Sequence, residues 1–404
     1  MIIQYLVGQD PILSTLVARI HLALSVHLDL MNGNLDVVES IENENSKLGI
    51  DFQIESKFMR MQMAEGYDIP AVEEWISANI VALTPPLNWT KLEGGHSNLT
   101  YLIEDVEGAQ AVIRRPPMGK LLHKAHDMNR EWSLISALKS TSVPVPNAIG
   151  FCDDLQVTGA HFYVMDLVNG RPLYNATETT NYVPEDKRST LAYSFIDVLA
   201  DLHSLNPEKI GLGDLGKKDG YLSRQLKTWY GSWTSSIDAA RFDDPLAHDL
   251  RQYFLDHMPE QGMARVVHGD YGLHNCLIGN DSKIVAVVDW EISTLGDPLA
   301  DLAYALNPWL ESDDPLIIEQ NHATAVSGMP SRSELAQRYA ERTGRNLNNL
   351  NYYRAFSFWK SAAIMHGVYA RYVAGQKSAK GVDLDAWRKR IKDCLAGAEY
   401  VINC

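Results

Sequence analysis

His268-Gly-Asp-Tyr-Gly-Leu-His-Asn275 lies between two apolar runs, Val266-Val267 before it and Cys276-Leu277-Ile278 after it. A further apolar run, Ile284 to Val288, ends in Asp289. Short apolar runs bounded by glycine and polar residues read as buried strands. Asp270, Asn275 and Asp289 therefore stand at strand ends, where side chains can converge. An acid able to take a hydroxyl proton, placed five residues before an amide and one hairpin before a second acid, suits phosphoryl transfer. Asn275 and Asp289 offer hard oxygen donors for Mg²⁺, which leaves Asp270 as the base that positions a nucleophile. His268 reads as packing under the loop.

The spacing matches the kinase catalytic loop, H-x-D followed by four residues and Asn, with its downstream magnesium aspartate. Two departures narrow the reading. Gly269 stands where regulated protein kinases carry an arginine that senses activation-loop phosphate. Asp289 is followed by Trp290-Glu291 instead of Phe-Gly, and no Ala-Pro-Glu segment follows. A protein substrate and an activation-loop switch are therefore not expected. No G-x-x-x-x-G-K-[ST] occurs, which excludes a Walker-type site. His274 and Cys276 alone do not make a zinc set.

The bulk properties agree with an enzyme of this kind. With 404 residues the chain is too long for one compact core, and two or more subdomains are expected. A net charge of −15 leaves no basic excess for nucleic acid. Cys152, Cys276, Cys394 and Cys404 are scattered without C-x-x-C spacing, as in a reduced, cytoplasmic protein. The sequons at Asn88, Asn98 and Asn175 are then chance matches. Residues 12–31 are the most apolar stretch, but Arg19, His21, His27 and Asp29 interrupt it. An amphipathic helix is expected there, not a membrane span or signal peptide, so no membrane partner is expected.

Working outward, the chain divides into a 1–64 extension without an interpretable motif, a 65–170 N-lobe that binds nucleotide, and a 171–404 helical C-lobe that holds the catalytic loop and acceptor site. Met61 and Met63 precede the first helical pattern, Ile69 to Leu83, which leaves translation from one of them open. Thr84-Pro85-Pro86 is a linker. Trp89 to Ile103 and Ala111 to Arg114 alternate as strands, a helix runs from about Asp127 to Leu138, and Val143-Pro-Val-Pro146 leads to the strand Phe162 to Asp166. This small β-rich lobe gives way near Gly170 to helical patterns, with Leu191, Phe195, Val198, Leu199 and Leu202 on one stripe. Further helices are expected at 219–234, 244–257, 298–310, 331–343 and 350–374. The fold class is α+β.

Within the N-lobe, Gly94-Gly95 sits in a strand-turn-strand candidate. Gly95 lets the backbone approach phosphates, and Ser97 and Asn98 add donors, although an ordinary hairpin turn reads the same way. Arg114 ends the next strand as a phosphate contact, and Glu131 opens the following helix where it can pair with Arg114. At the end of the strand Phe162 to Asp166, the Asp166 carbonyl and the Val168 amide would meet an adenine edge. Asp297 fits a helix N-cap before Pro298, and Asp301, one turn on, braces the catalytic loop through its backbone amides. Lys218, Arg224 and Lys227 near the 219–234 helix are candidate contacts for an acceptor's phosphates, although a solvated face has the same charge pattern.

Together these segments resemble the aminoglycoside phosphotransferase-like family of small-molecule kinases. The nearest branch looks like the kinase-like domain fused to acyl-CoA dehydrogenases. The stretches that carry the resemblance are Gly94-Gly-His-Ser-Asn-Leu-Thr-Tyr101, Ile113-Arg-Arg-Pro-Pro117 with Gly119-Lys-Leu121, Asn129-Arg-Glu131, Val143-Pro-Val-Pro146, Val267-His-Gly-Asp270 and Val288 to Ala303. The resemblance implies a bilobal protein-kinase-like fold, ATP and Mg²⁺, with Asp270 as catalytic base and Asn275 and Asp289 as metal ligands. Arg114 departs from the lysine of typical kinases, and the two cations engage phosphate differently. The dehydrogenase-linked branch implies a hydroxyacyl-CoA or another small metabolite as acceptor, and no flavin chemistry is assigned here. An aminoglycoside acceptor, and a nucleotide-binding sensor that transfers nothing, are the alternatives.

Overall fold

The computed structural model describes residues 64–92, 98–118, 127–309, 311, 314 and 321–404. The expectations for the 1–63 extension, the 12–31 helix, Gly95 and Ser97 fall outside the described residues. Ala64–Cys404 forms one compact unit.

The first helix, α1 (Ile69–Asn79), is capped by the Asp68 carboxylate and opens on Pro70. It stops short of the expected Leu83 because Ile80 turns extended and Ile80 and Leu83 are drawn into the core. Pro85 also disfavours helix at Thr84. Next come β1 (Asn88–Lys91), β2 (Leu99–Glu104), β3 (Gln110–Arg115), α2 (Met128–Leu138), β4 (Ala148–Cys152), the short α3 (Leu155–Thr158) and β5 (Phe162–Asp166). The five strands form one antiparallel sheet in the order β1-β2-β3-β5-β4.

Strand periodicity decides which helix each side chain meets. Phe162 and Val164 of β5 join Tyr101, Ile103 and Ile113 in a cluster with Val72 and Ile76 of α1. Tyr163, between them, points the other way and packs with Leu134, Ile135 and Leu138 of α2. Asp127 caps α2 by accepting from the amides of Asn129 and Arg130.

The helical lobe contains α4 (Ala176–Tyr182), α5 (Arg188–Ser204), α6 (Tyr221–Ala240) and α7 (Pro245–Asp256). It continues with four short strands, β6 (Arg265–Val267), β7 (Cys276–Ile278), β8 (Ile284–Val287) and β9 (Thr294–Gly296). The last helices are α8 (Pro298–Leu306), α9 (Arg332–Thr343), α10 (Leu350–Val373) and α11 (Leu384–Ile402). The expected α5 stripe is buried throughout, from Leu191 to Leu202. A second core lies among α6, α7, α10 and α11, built around Trp233, Phe254, Trp359 and Leu395. The mixed architecture, a sheet-based small lobe and a helical large lobe, is the expected fold class. The stretch read as one hairpin, 265–290, resolves into two ladders: β7 pairs with β8, but β6 pairs with β9.

The chain leaves the small lobe across Gly170. A Cβ there would come within 2.9 Å of Val285 and 3.0 Å of Leu277, so only glycine lets the connection lie on the β7–β8 hairpin. Arg171 and Ile278 exchange backbone hydrogen bonds at 3.1 and 3.0 Å, which ties the connection to that hairpin. No described helix is long and apolar enough to cross a membrane.

Candidate active site

The loop between β6 and β7 is shaped from beneath. Asp297 caps α8 through the Leu299 amide, and Asp301 in its first turn lies buried under the loop. The Asp301 carboxylate accepts from the backbone amides of His268, at 2.5 Å, and Gly269, at 2.9 Å. His203 of α5 lies 3.4 Å from the same carboxylate, and its other ring nitrogen meets the Tyr339 hydroxyl at 2.7 Å. Burial alone would raise the Asp301 pKa, but His203, by hydrogen bond and charge, holds it below the usual carboxylate range. The His268 ring bonds the Val288 carbonyl at 2.9 Å and packs against Trp290. Ser293 donates to the His268 carbonyl at 3.1 Å. The His268 amide and carbonyl and the Gly269 amide are thus all fastened by side chains.

Gly269 explains the glycine between the histidine and the acid. Its φ is +88°, and a Cβ would come within 3.1 Å of Ile292. Replacing Gly269 with alanine is expected to lower stability by about 1–3 kcal/mol, read as a fall in Tm, with a larger loss of turnover than of nucleotide affinity.

Asp270, next in the chain, is partly open to solvent. Its Oδ1 accepts from the Tyr304 hydroxyl and lies 3.3 Å from His274 Nε2. Asn275 donates through Nδ2 to both the Asp270 carbonyl and Oδ2, each at 3.0 Å. Burial opposes ionisation of Asp270, but His274 first and Tyr304 after it bring its pKa down to about 2. The Tyr304 hydroxyl moves up, through burial and the adjoining carboxylate, and stays a donor. Tyr304 was not a sequence candidate. Its signal was the spacing from Asp301, three residues along one helix, which puts both side chains on the face under the loop.

The β7–β8 register sets Cys276 opposite Val287, and the Val288 amide donates to the Asn275 carbonyl at 2.9 Å. Asn275 is thereby held beside the residue that precedes Asp289. Asp289 has φ +66°, a conformation disfavoured for residues other than glycine and found in over-determined sites. The tie that holds it there crosses from the other lobe. Arg114 of β3 contacts Asp289 Oδ1 through Nη2 at 2.6 Å and Glu131 Oε2 of α2 through Nε at 3.0 Å. Tyr163 donates to Glu131 at 2.8 Å, and Asn98 Nδ2 reaches Glu131 and Glu291 at 3.1 Å each. Burial would lower the Arg114 pKa, but Glu131 first, then Tyr163 and Asp289, raise it above the usual guanidinium value. Burial pushes Glu131 up, opposed by Arg114 and Tyr163.

Arg114, Glu131 and Asp289 therefore meet, and Asn98 is committed to acids of this cluster. Glu291 was not a sequence candidate, although Asp-x-Glu at 289–291 carried the signal. Carboxylate oxygens of Glu131, Asp289 and Glu291 lie within 4.8 Å of one another. Asn275 is not among these three acids and is engaged through Nδ2 with Asp270. This set of hard oxygens suits Mg²⁺ or Ca²⁺ better than a soft metal.

The remaining candidates are peripheral. Asp166 closes β5, and half-buried Val168 follows in the segment between the lobes. Exposed Lys218 pairs with Glu208 at 2.6 Å, Arg224 donates to the Lys217 carbonyl at 2.8 Å, and Lys227 is exposed on α6.

A family model described as the phosphotransferase enzyme family matches residues 88–335, and the chain belongs to that family. Acyl-CoA dehydrogenase family member 11 of Pongo abelii is 35% identical over 300 residues, a match covering 73% of this chain and 38% of that protein. The match thus spans less than half the length of that relative. A solved structure from Ralstonia eutropha JMP134, described only as a candidate aminoglycoside phosphotransferase, has a TM-score of 0.70 at 28% identity, covering 83% of this chain and 99% of that one. Choline kinase from Cryptosporidium parvum Iowa II has a TM-score of 0.58 at 12% identity, covering 83% and 97%, a likeness of fold. The fold is kinase-like, and the family to which the chain belongs is one of phosphotransferase enzymes.

Proposed function

We propose that this enzyme transfers the γ-phosphoryl group of ATP to a hydroxyl of a small metabolite, with a hydroxyacyl-CoA as the favoured acceptor. The observation that carries the reading is the Arg114 guanidinium spanning Glu131 of one lobe and Asp289 of the other, beside the loop that presents Asp270. Asn275 and Asp289 are the residues that would hold Mg²⁺. When bound there, the ion would supply charge neutralisation on the phosphates. Arg114, oriented by Glu131, supplies a forked cation for phosphate oxygens. Gly95, Ser97 and Asn98 belong to the segment that would cover the phosphates, and Asp166 and Val168 to the adenine edge.

Asp270 orients the acceptor hydroxyl by accepting its hydrogen bond. A carboxyl with a pKa of about 2 is a weak base, so the proton would leave late, as a loose transition state allows. Three donors around the carboxylate fix its plane and leave lone pairs for the acceptor. An acyl-CoA-linked acceptor is favoured because a relative's name joins this kind of chain to acyl-CoA dehydrogenase. Lys218, Arg224 and Lys227 are the candidate contacts for the CoA phosphates.

The test is a screen of hydroxyacyl-CoAs, sugars, amino alcohols and aminoglycosides for acceptor-stimulated, Mg²⁺-dependent ADP release. The expected result is stimulation by one hydroxylated class. Tight ATP binding without turnover on any acceptor would favour a nucleotide sensor instead.

A further inference from the structure

The first turn of α2 carries a cation that the machinery above does not use. Arg130 directly precedes Glu131, and on a helix neighbouring side chains diverge by about 100°. Glu131 turns to Arg114, at 3.0 Å, whereas the half-buried Arg130 reaches into the large lobe. Its Nη1 donates to the Ser293 carbonyl, and its Nη2 donates to the Leu215 carbonyl at 3.2 Å. A cation in the first turn opposes the helix dipole, so Arg130 does nothing for α2 taken alone. Its value lies in what it grips.

Both carbonyls belong to fixed parts. Ser293 is fully buried; its amide donates to the Trp290 carbonyl and its hydroxyl to the His268 carbonyl, each at 3.1 Å. A single residue therefore joins Arg130 to the catalytic loop. Leu215 stands in the connection between α5 and α6. One position on, at Gly216, a Cβ would collide with Thr294 Oγ1 and stand 3.3 Å from the Leu295 amide nitrogen. Only glycine lets that connection lie on β9 and present the Leu215 carbonyl to Arg130. The start of α2 is thus clasped by two segments of the large lobe, 85 and 163 residues away in the chain.

We infer that Arg130 is a positioning residue: by tying the first turn of α2 to the Ser293 and Leu215 carbonyls, it holds Glu131 against Arg114 and keeps that guanidinium aimed at the phosphates. The inference rests on the kinase reading for the role of Arg114. Regulated protein kinases place the matching helix by phosphorylating an activation loop. With Gly269 in place of the sensing arginine and no Ala-Pro-Glu segment, this chain has no such signal, and Arg130 makes the placement permanent.

The test is a double-mutant cycle, read by calorimetric binding of MgATP and, without nucleotide, by hydrogen exchange of the α2 amides. Arg130→Met is expected to weaken MgATP binding by about 5- to 30-fold and to speed exchange across α2. Unchanged exchange in α6 and α10 shows that the large lobe folds. Arg130→Lys is expected to recover part of the loss, since an ammonium still donates to one carbonyl. In a Glu131→Ala background the same Arg130→Met change costs less than about 2-fold, because the contact it served is already gone. Gly216→Ala, which displaces the Leu215 carbonyl from the far end, is expected to weaken binding in wild type but not in Arg130→Met. In turnover the loss falls on kcat and the KM for ATP, and the acceptor KM holds. Wild-type affinity in Arg130→Met overturns the assignment, as does an equal loss in both backgrounds, which is what a merely structural arginine gives. If wild type binds no nucleotide, the kinase reading falls and exchange decides: α2 exchange unaltered by Arg130→Met overturns the assignment, and faster exchange upholds it. A coupled loss of MgATP binding without phosphate transfer to any acceptor upholds the assignment and removes the kinase reading, so the two fail separately.

Discussion

Asp270→Asn is expected to lower kcat by about 10²–10⁴-fold while leaving nucleotide affinity within a few-fold of wild type. The asparagine keeps the size and plane of the side chain but loses the charge. Its amide nitrogen must also face one of three donors: Tyr304, His274 or Asn275. On the proposed mechanism the acceptor hydroxyl then loses the group that orients it, whereas Arg114, proposed for the phosphates, keeps its contacts with Glu131 and Asp289. Because the wild-type carboxyl has a pKa of about 2, it is ionised throughout the range in which an assay is run. The acid limb of a kcat/KM profile should therefore not show Asp270 titrating above about pH 4. Single-turnover measurements with saturating ATP separate this loss from a binding defect. A variant that keeps more than a tenth of wild-type kcat would remove Asp270 from the chemistry.

Asp301→Ala is expected to cost on the order of 3–5 kcal/mol of folding stability, as the loss of one partner from a buried charged network does. Two backbone amides and the His203 ring would lose their shared acceptor in the interior of the helical lobe. The urea midpoint falls with little change in slope, and turnover falls further than stability alone requires because the loop at Gly269 is no longer fastened. The pH dependence follows from the sign of the shifts. Asp301 and Asp270 both have folded-state pKa values below their unfolded ones. Their contribution is fully present above the unfolded carboxylate pKa, about 3.9, and is lost as pH falls from there through the folded values. Acid unfolding of Asp301→Ala should accordingly be shallower than that of wild type below about pH 4. An unchanged urea midpoint would contradict the role of Asp301.

The bilobal α+β fold was legible because period-two strands and period-3.6 helices are written plainly on either side of Gly170. Element ends were less so. Residues 80–83 keep an apolar pattern, yet Ile80 and Leu83 leave the helix to fill the core of the small lobe. The pairing of β6 with β9, instead of with its neighbour β7, was not readable either. Both strands are three residues long, too short to carry a pairing signal of their own. The expectations ended at residue 374, although Ile391, Leu395 and Ala398 mark α11 at helical spacing. Around the site, the order of Arg114, Glu131, Asp270, Asn275 and Asp289 was open to sequence reasoning because each ends or opens a recognisable element. His203, Tyr304 and Glu291 were not, since each acquires its meaning from a partner distant in the chain. His203 and Asp301 are 98 residues apart.

The most direct test follows phosphorus itself. Wild-type protein incubated with ATP, Mg²⁺ and a panel of hydroxyacyl-CoAs, sugars and amino alcohols is read by ³¹P nuclear magnetic resonance. The account predicts a new phosphomonoester signal that grows in step with ADP for one acceptor class, requires Mg²⁺ and is absent in Asp289→Asn. Consumption of ATP to ADP and inorganic phosphate alone across the panel, or ester formation that persists in Asp289→Asn, would contradict it.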